Sequence, residues 1–146
     1  MNRFENKVVL ITGSGGGLGK ASALRFVAEG ARVVIADIDL ESAEAVADEI
    51  GPQAKAIKAD VTSIDDCKAM VQTAQDTYGQ LNVVFANAGV GGNKTEFVDM
   101  SIEEWDRVVD VNLRGMMLTC KASVPALIEA GGGALVLMGS STGGWD

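Results

Sequence analysis

Residues 13 to 19 read Gly-Ser-Gly-Gly-Gly-Leu-Gly, five glycines in seven positions, directly behind the apolar run Val8-Val9-Leu10-Ile11 and ahead of residues that favour a helix. A tight turn feeding a helix aims unpaired backbone amides and the positive end of the helix dipole at one point, which suits a pyrophosphate. Glycine belongs in such a turn because a Cβ would hold the phosphates away and because some positions need positive φ. The bland alternative is a flexible connection. Asp37, 18 residues past Gly19, ends the next apolar run. A carboxylate there is placed to accept hydrogen bonds from ribose hydroxyls, although a solvated turn aspartate would look the same.

These residues need a scaffold, and the chain alternates in the pattern that supplies one. "KVVLIT" (7 to 12), "RVVIAD" (32 to 37), "AKAIKAD" (54 to 60), "LNVVFANA" (81 to 88) and "GALVLMG" (133 to 139) read as strands. Between them, helical spacing predicts helices from Leu18 to Glu29, near 40 to 50, near 64 to 78, and from Ile102 to about Ala130. Ser63 with Asp66 and Ser101 with Glu104 fit capping boxes, in which hydroxyl and carboxylate satisfy each other's orphan amides. Strands that are apolar at consecutive positions belong to a sheet covered on both faces, hence parallel with right-handed crossovers. The expected fold is α/β, a doubly wound open sheet of about five strands in a single domain spanning residues 1 to 146, with ligands outside the C-terminal strand ends.

The G-x-G-x-x-G spacing fails in every register, because its third glycine would fall on Leu18, Lys20 or Ser22. What fits is T-G-x-x-x-G-x-G, carried by Thr12, Gly13, Gly17 and Gly19, with Gly16 and Leu18 inside it. That spacing resembles the short-chain dehydrogenase/reductase family, and the match continues along the chain. Asp60-Val61 looks like the family's adenine-contacting pair, and Asn87-Ala88-Gly89 is similar to its N-N-A-G signature with Ala86 in place of the first Asn. Asn112, in "VVDVNLRG", is similar to the catalytic asparagine that binds a water in a proton relay, and "LVLMGSSTG" puts the catalytic serine at Ser140, with Ser141 second. The resemblance implies a Rossmann-type fold and hydride transfer between a nicotinamide dinucleotide and a small alcohol or carbonyl substrate. It also makes Asp37 and Ile38 part of the cofactor site. Neither the glycine loop before Leu18 nor the neighbours of Asp37 include Lys or Arg, so NAD is favoured over NADP.

The bulk numbers narrow the alternatives. A net charge of −8 with Lys and Arg scattered singly disfavours nucleic acid. A polar N-terminus and short apolar runs argue against a membrane partner and for a cytoplasmic location. Absence of histidine excludes a Ser-His-Asp triad and disfavours a transition-metal site, so no metal is expected. Cys67 and Cys120, 53 positions apart without ligand-spaced neighbours, read as free buried thiols.

One part of the family pattern does not occur. Family members use Tyr-x-x-x-Lys to move the proton. The only tyrosine here, Tyr78, has Asn82 four residues on and cannot substitute. Losing a positioned general acid removes roughly 10²- to 10⁴-fold of rate. The expectation is therefore the cofactor-binding N-terminal portion of a longer enzyme, with its C-terminal strands missing, little activity of its own, and "ALVLM" left as an exposed sheet edge that invites pairing. A non-catalytic dinucleotide-binding or regulatory module is the alternative. A methyltransferase-type S-adenosylmethionine domain shares the glycine loop but leaves Asn87-Ala88-Gly89 and Ser140 without explanation. The resemblance further implies a homo-oligomer through the helix from Ile102 to Ala130.

Overall fold

The structure, a computed structural model, describes residues 2 to 140. Five strands, β1 (Val8–Thr12), β2 (Arg32–Asp37), β3 (Ala54–Lys58), β4 (Val83–Ala86) and β5 (Ala134–Leu137), form one sheet in the order β3-β2-β1-β4-β5. Every pairing is parallel. The helices α1 (Gly17–Ala28), α2 (Leu40–Ile50), α3 (Ile64–Tyr78), α4 (Ile102–Val109) and α5 (Met116–Glu129) supply the crossovers, with a short 3₁₀ turn at Phe97–Asp99.

Consecutive strand residues point to opposite faces, and here both faces are covered. Val9, Ile11, Val33, Ile35 and Phe85 pack with Ala23 of α1 and Ala43 and Val46 of α2. Val8, Leu10, Val34 and Val84 pack with Met70 and Ala74 of α3 and Leu118 and Leu127 of α5. This double burial explains why β1, β2 and β4 read as unbroken apolar runs instead of alternating ones.

The chain steps from β1 outward to β2 and β3, then returns across the sheet to β4 on the other side of β1. A crevice opens where the order reverses, above the C-terminal ends of β1 and β4. Hydrogen bonds stitch those ends together. The Thr12 hydroxyl oxygen accepts from the amides of Asn87 and Ala88, both at 3.0 Å, and the Asn87 side-chain amide donates to the carbonyls of Thr12 and Gly13 at 3.1 Å. At the opposite end of the same strands, Asn82 Oδ1 accepts from the Val8 amide at 2.9 Å.

Two expectations need correction. The predicted helix from Ile102 to Ala130 is divided: α4 ends at Val109, residues Asp110–Gly115 form a π-helical stretch, and α5 follows. The wider turn serves two contacts. Asn112 turns its amide out to the backbone of Val90, and Gly115 lies so close to Val61 that a Cβ would stand 2.7 Å from its Cγ2. Second, the capping boxes are half realised. Ser63 and Ser101 cap α3 and α4 as expected. The carboxylates do not take the cap residues' own amides: Asp66 accepts from the Ser63 hydroxyl and the Asp60 amide, and Glu104 from the Asn93 amide. On α1, Leu18 and Leu24 are exposed, while Gly19 packs on the glycine loop and Ala23 joins the core over the sheet. The small residues let this helix lie close over β1, and the bulky ones are left outside.

Candidate functional site

Among the described α-helices that start from a loop, one lacks a side-chain cap. α2, α3 and α4 each begin with a side-chain cap: Asp39 on the amides of Glu41 and Ser42, Ser63 on that of Asp66, Ser101 on that of Glu104. α1 begins at Gly16 with no side-chain cap and no acid in its first turn. No side chain takes its first amides, and such a helix start is a geometry that suits an anion. A Cβ at Gly16 or Gly17 would meet no protein atom within 4 Å, so the bare backbone there is not dictated by packing and leaves open space at the helix start.

Other glycines of the loop are fixed by neighbours. Gly13 has φ +62°, and a Cβ on it would lie 2.8 Å from Ala88 Cα. A Cβ on Gly19 would strike the Gly13 carbonyl oxygen and lie 2.7 Å from Ser14 Cα. Between them Ser14, fully buried, donates to the Ile11 carbonyl at 2.7 Å and accepts from the Ala36 amide at 3.1 Å, which fastens the loop to β1 and β2. Asp37 completes the frame: one carboxylate oxygen accepts from the Gly15 amide at 2.8 Å and the other from the Asp39 amide at 3.1 Å. The loop and the acid at the end of β2 thus form one hydrogen-bonded unit.

A cavity of about 270 Å³ lies over these strand ends. It is lined by Thr12 and Gly13 after β1, Asp37 and Ile38 after β2, Asp60 and Val61 after β3, and Asn87, Ala88 and Gly89 after β4. Asp60 is held in a tight turn by the Thr62 amide and hydroxyl at 2.8 and 2.7 Å. Gly16, Gly17, Leu18 and Gly19 lie outside this lining, at the start of α1. A second cavity, about 570 Å³, shares the wall from Asn87 to Val90 and is closed by Asn112, Met116 and the segment from Leu137 to Ser140. Asn112 and Ser140 therefore face one space. Asn112 is already engaged, donating to the Val90 carbonyl and accepting from the Val90 amide, both at 2.8 Å. Ser141, the second choice for the serine, lies outside the described residues.

Several residues of the two linings carry no motif: Met70 and Val111 in the first, Met116 and Met138 in the second, and Val90 in both. They are apolar residues on helices, past strand ends or, for Val90, on a loop, and their type says nothing about which side of the fold they face. Ser14 was hidden among glycines.

The remaining candidate groups lie elsewhere. Tyr78 ends α3, its ring beneath the Arg32 guanidinium at the start of β2, and burial pushes its pKa up. That is the N-terminal edge of the sheet, away from the crevice. Burial also raises the thiol pKa of Cys67, whose Sγ lies 3.4 Å from the Val61 carbonyl oxygen. Cys120 is half-buried instead of fully enclosed, and its thiol is likewise pushed up by burial.

The family model for short chain dehydrogenases matches residues 7–145. The chain belongs to that family. A cyclohexanol dehydrogenase of Acinetobacter sp. (strain SE19) is 46% identical over 145 residues, which cover 97% of this chain and 58% of that protein. A galactitol 2-dehydrogenase of Agrobacterium fabrum is 39% identical over 142 residues, covering 97% and 55%. Among solved structures, a 3-ketoacyl-(acyl-carrier-protein) reductase from Brucella melitensis complexed with NADH superimposes with a TM-score of 0.85 at 41% identity, over 88% of this chain and 53% of that one. The chain thus spans little more than half the length of the relatives it matches.

Proposed function

We propose that the crevice binds a nicotinamide dinucleotide and that the protein to which this chain belongs is an NAD-dependent oxidoreductase acting on a small alcohol or carbonyl compound. The observation that carries this reading is the uncapped start of α1 beside open space, coupled through the Gly15 amide to the Asp37 carboxylate. Anion-binding amides and a ribose-binding acid are the two recognition elements such a ligand needs, and here they share one loop.

In this reading the amides from Gly16 to Gly19 hold the diphosphate. Asp37 and Ile38 border the adenosine ribose, and Asp60 and Val61 the adenine. Asn87, Ala88 and Gly89 run beneath the middle of the ligand. Bound there, the cofactor supplies hydride transfer. Ser140 polarises the substrate oxygen from the second cavity, and Asn112 holds the neighbouring wall and is the residue that would bind a relay water. Asp37 sets the preference for NAD, because a 2'-phosphate would sit against a carboxylate already committed to two amides. The names of the cyclohexanol and galactitol dehydrogenases support the alcohol or carbonyl class.

Calorimetric titration tests the reading. The 146-residue chain should bind NAD more tightly than NADP, and Asp37→Ala should abolish the preference. Equal affinities in the parent would remove the role given to Asp37, and no binding of either would remove the dinucleotide reading altogether. No Tyr-x-x-x-Lys sequence occurs within the 146 residues. A carbonyl-reduction assay with NADH on this chain should show no turnover above background, and robust turnover would mean that another group donates the proton.

A further inference from the structure

The partition between the two cavities is a short loop, fastened by two charged side chains to which the proposed function gives no part. Gly89 and Val90 line both spaces. Beyond them the chain runs Gly91-Gly92-Asn93, all exposed. Two adjacent glycines give this stretch little conformational preference of its own.

Three side chains from α4 and the π-helical stretch hold its backbone, and they do so in antiparallel order. Asn112 takes both the amide and the carbonyl of Val90, Arg107 Nη2 donates to the Gly91 carbonyl at 2.8 Å, and Glu104 Oε1 accepts from the Asn93 amide at 2.8 Å. Glu104 and Arg107 also bond each other, at 3.0 and 3.1 Å. The Glu104 side chain is only 11% exposed. The guanidinium of Arg107 and the Asn93 amide hold its carboxyl below the usual carboxylate range.

An exposed ion pair three residues apart on a helix contributes little by itself. This pair differs because each partner uses a second hydrogen-bonding group on the loop, with matching polarity: the acceptor meets an N–H and the donor meets a C=O. Neither side chain lines a cavity.

Resting on the dinucleotide reading of the crevice, we infer that Glu104 and Arg107 form a two-point latch that fixes the Gly89 to Asn93 loop as the partition between the cavities. They are positioning residues for the part of the ligand that enters the second cavity. The first cavity has independent supports in the strand ends of β1, β2 and β3 and in the Thr12–Asn87 bonds. A ligand held at the far end of that cavity, beside Asp37, Ile38, Asp60 and Val61, does not depend on the latch. A ligand that passes the partition does.

The charge-swapped variant E104R/R107E separates the latch from the helical ion pair. It keeps opposite charges three residues apart, yet turns a guanidinium toward the Asn93 N–H and a carboxylate toward the Gly91 carbonyl. Titrated with NADH and with ADP, the swapped chain should bind NADH about tenfold more weakly, the loss of roughly one net hydrogen bond, with ADP affinity unchanged. Glu104→Gln, which retains an acceptor oxygen for Asn93, should fall between. NADH binding equal to the parent's, or equal weakening for both ligands, overturns the inference. If the parent binds neither ligand the dinucleotide reading fails, and amide hydrogen exchange then decides the latch alone. The Asn93 amide should be protected in the ligand-free parent, and exchange at the rate of an open loop amide overturns the latch, whether or not the swapped chain folds.

Discussion

Glu29 follows the last turn of α1 and gathers two arginines. Arg3 donates to it through Nε at 2.6 Å, and Arg25, one turn earlier, through Nη2 at 2.6 Å. The Arg3 hydrogen bonds are the main cause of a carboxyl pKa lowered to about 2, with Arg25 adding to it. A folded-state pKa below the unfolded one means stability that is present above the ordinary carboxylate range and lost as pH falls toward the folded value. Glu29→Gln should therefore lower the thermal midpoint at neutral pH, with the gap to the parent closing between about pH 5 and pH 2. A gap that stays constant across that range would mean the carboxylate charge is not what matters. The side chain also ties the N-terminal segment to α1, as does the Phe4 amide on the Glu29 carbonyl at 3.0 Å.

At the scale of elements, the contact of α1 with the glycine loop has a sign that helix propensity alone would get wrong. Gly→Ala inside a helix normally stabilises by about 1 kcal/mol. At Gly19 the added methyl would run into the loop backbone. Gly19→Ala should instead destabilise by about 1–3 kcal/mol, the usual effect of overpacking, and weaken dinucleotide binding. Thermal denaturation and titration check both. This contact was legible in part: spacing located the loop and the helix, but which residues of α1 touch the sheet was not, since Leu18 and Leu24 fit a buried face as well as Gly19 and Ala23 do. The five strands could be read because double burial leaves unbroken apolar runs. The break between α4 and α5 could not. A π-helical turn leaves no periodicity of its own in so short a stretch, and the reasons for it, Val90 against Asn112 and Val61 against Gly115, lie in segments distant in the chain. The turns from Asp60 and Asn87 were legible as motifs, and the cavity-lining methionines were not, because their type fits any core.

At the scale of the whole molecule, the apolar surface is unevenly spread. Met117, Val124 and Ile128 of α5, seven and four residues apart, are exposed on one side, away from the face that packs Leu118 and Ala126 against the α3 side of the core, and Ile128 is 70% accessible. Ile102 and Trp105 of α4 are exposed as well. We propose the exposed face of α5 as the site of self-association. Sedimentation of the chain should show a concentration-dependent dimer or larger species, and Ile128→Asp should shift it toward monomer, whereas an unchanged distribution would place the contact elsewhere. No helix among the described residues is long and apolar enough to cross a membrane.

The central position of β1 governs the order in which the molecule can assemble. Its first partner, β2, emerges soon after it, but its second, β4, arrives only after two more strand–helix units have been made, and the bonds closing Thr12 onto Ala88 span 76 residues. A nascent chain therefore carries one finished and one unfinished flank of the same strand, with apolar faces bare in the meantime. Pairings this distant in sequence make for slow folding and leave time for strands of different molecules to find one another.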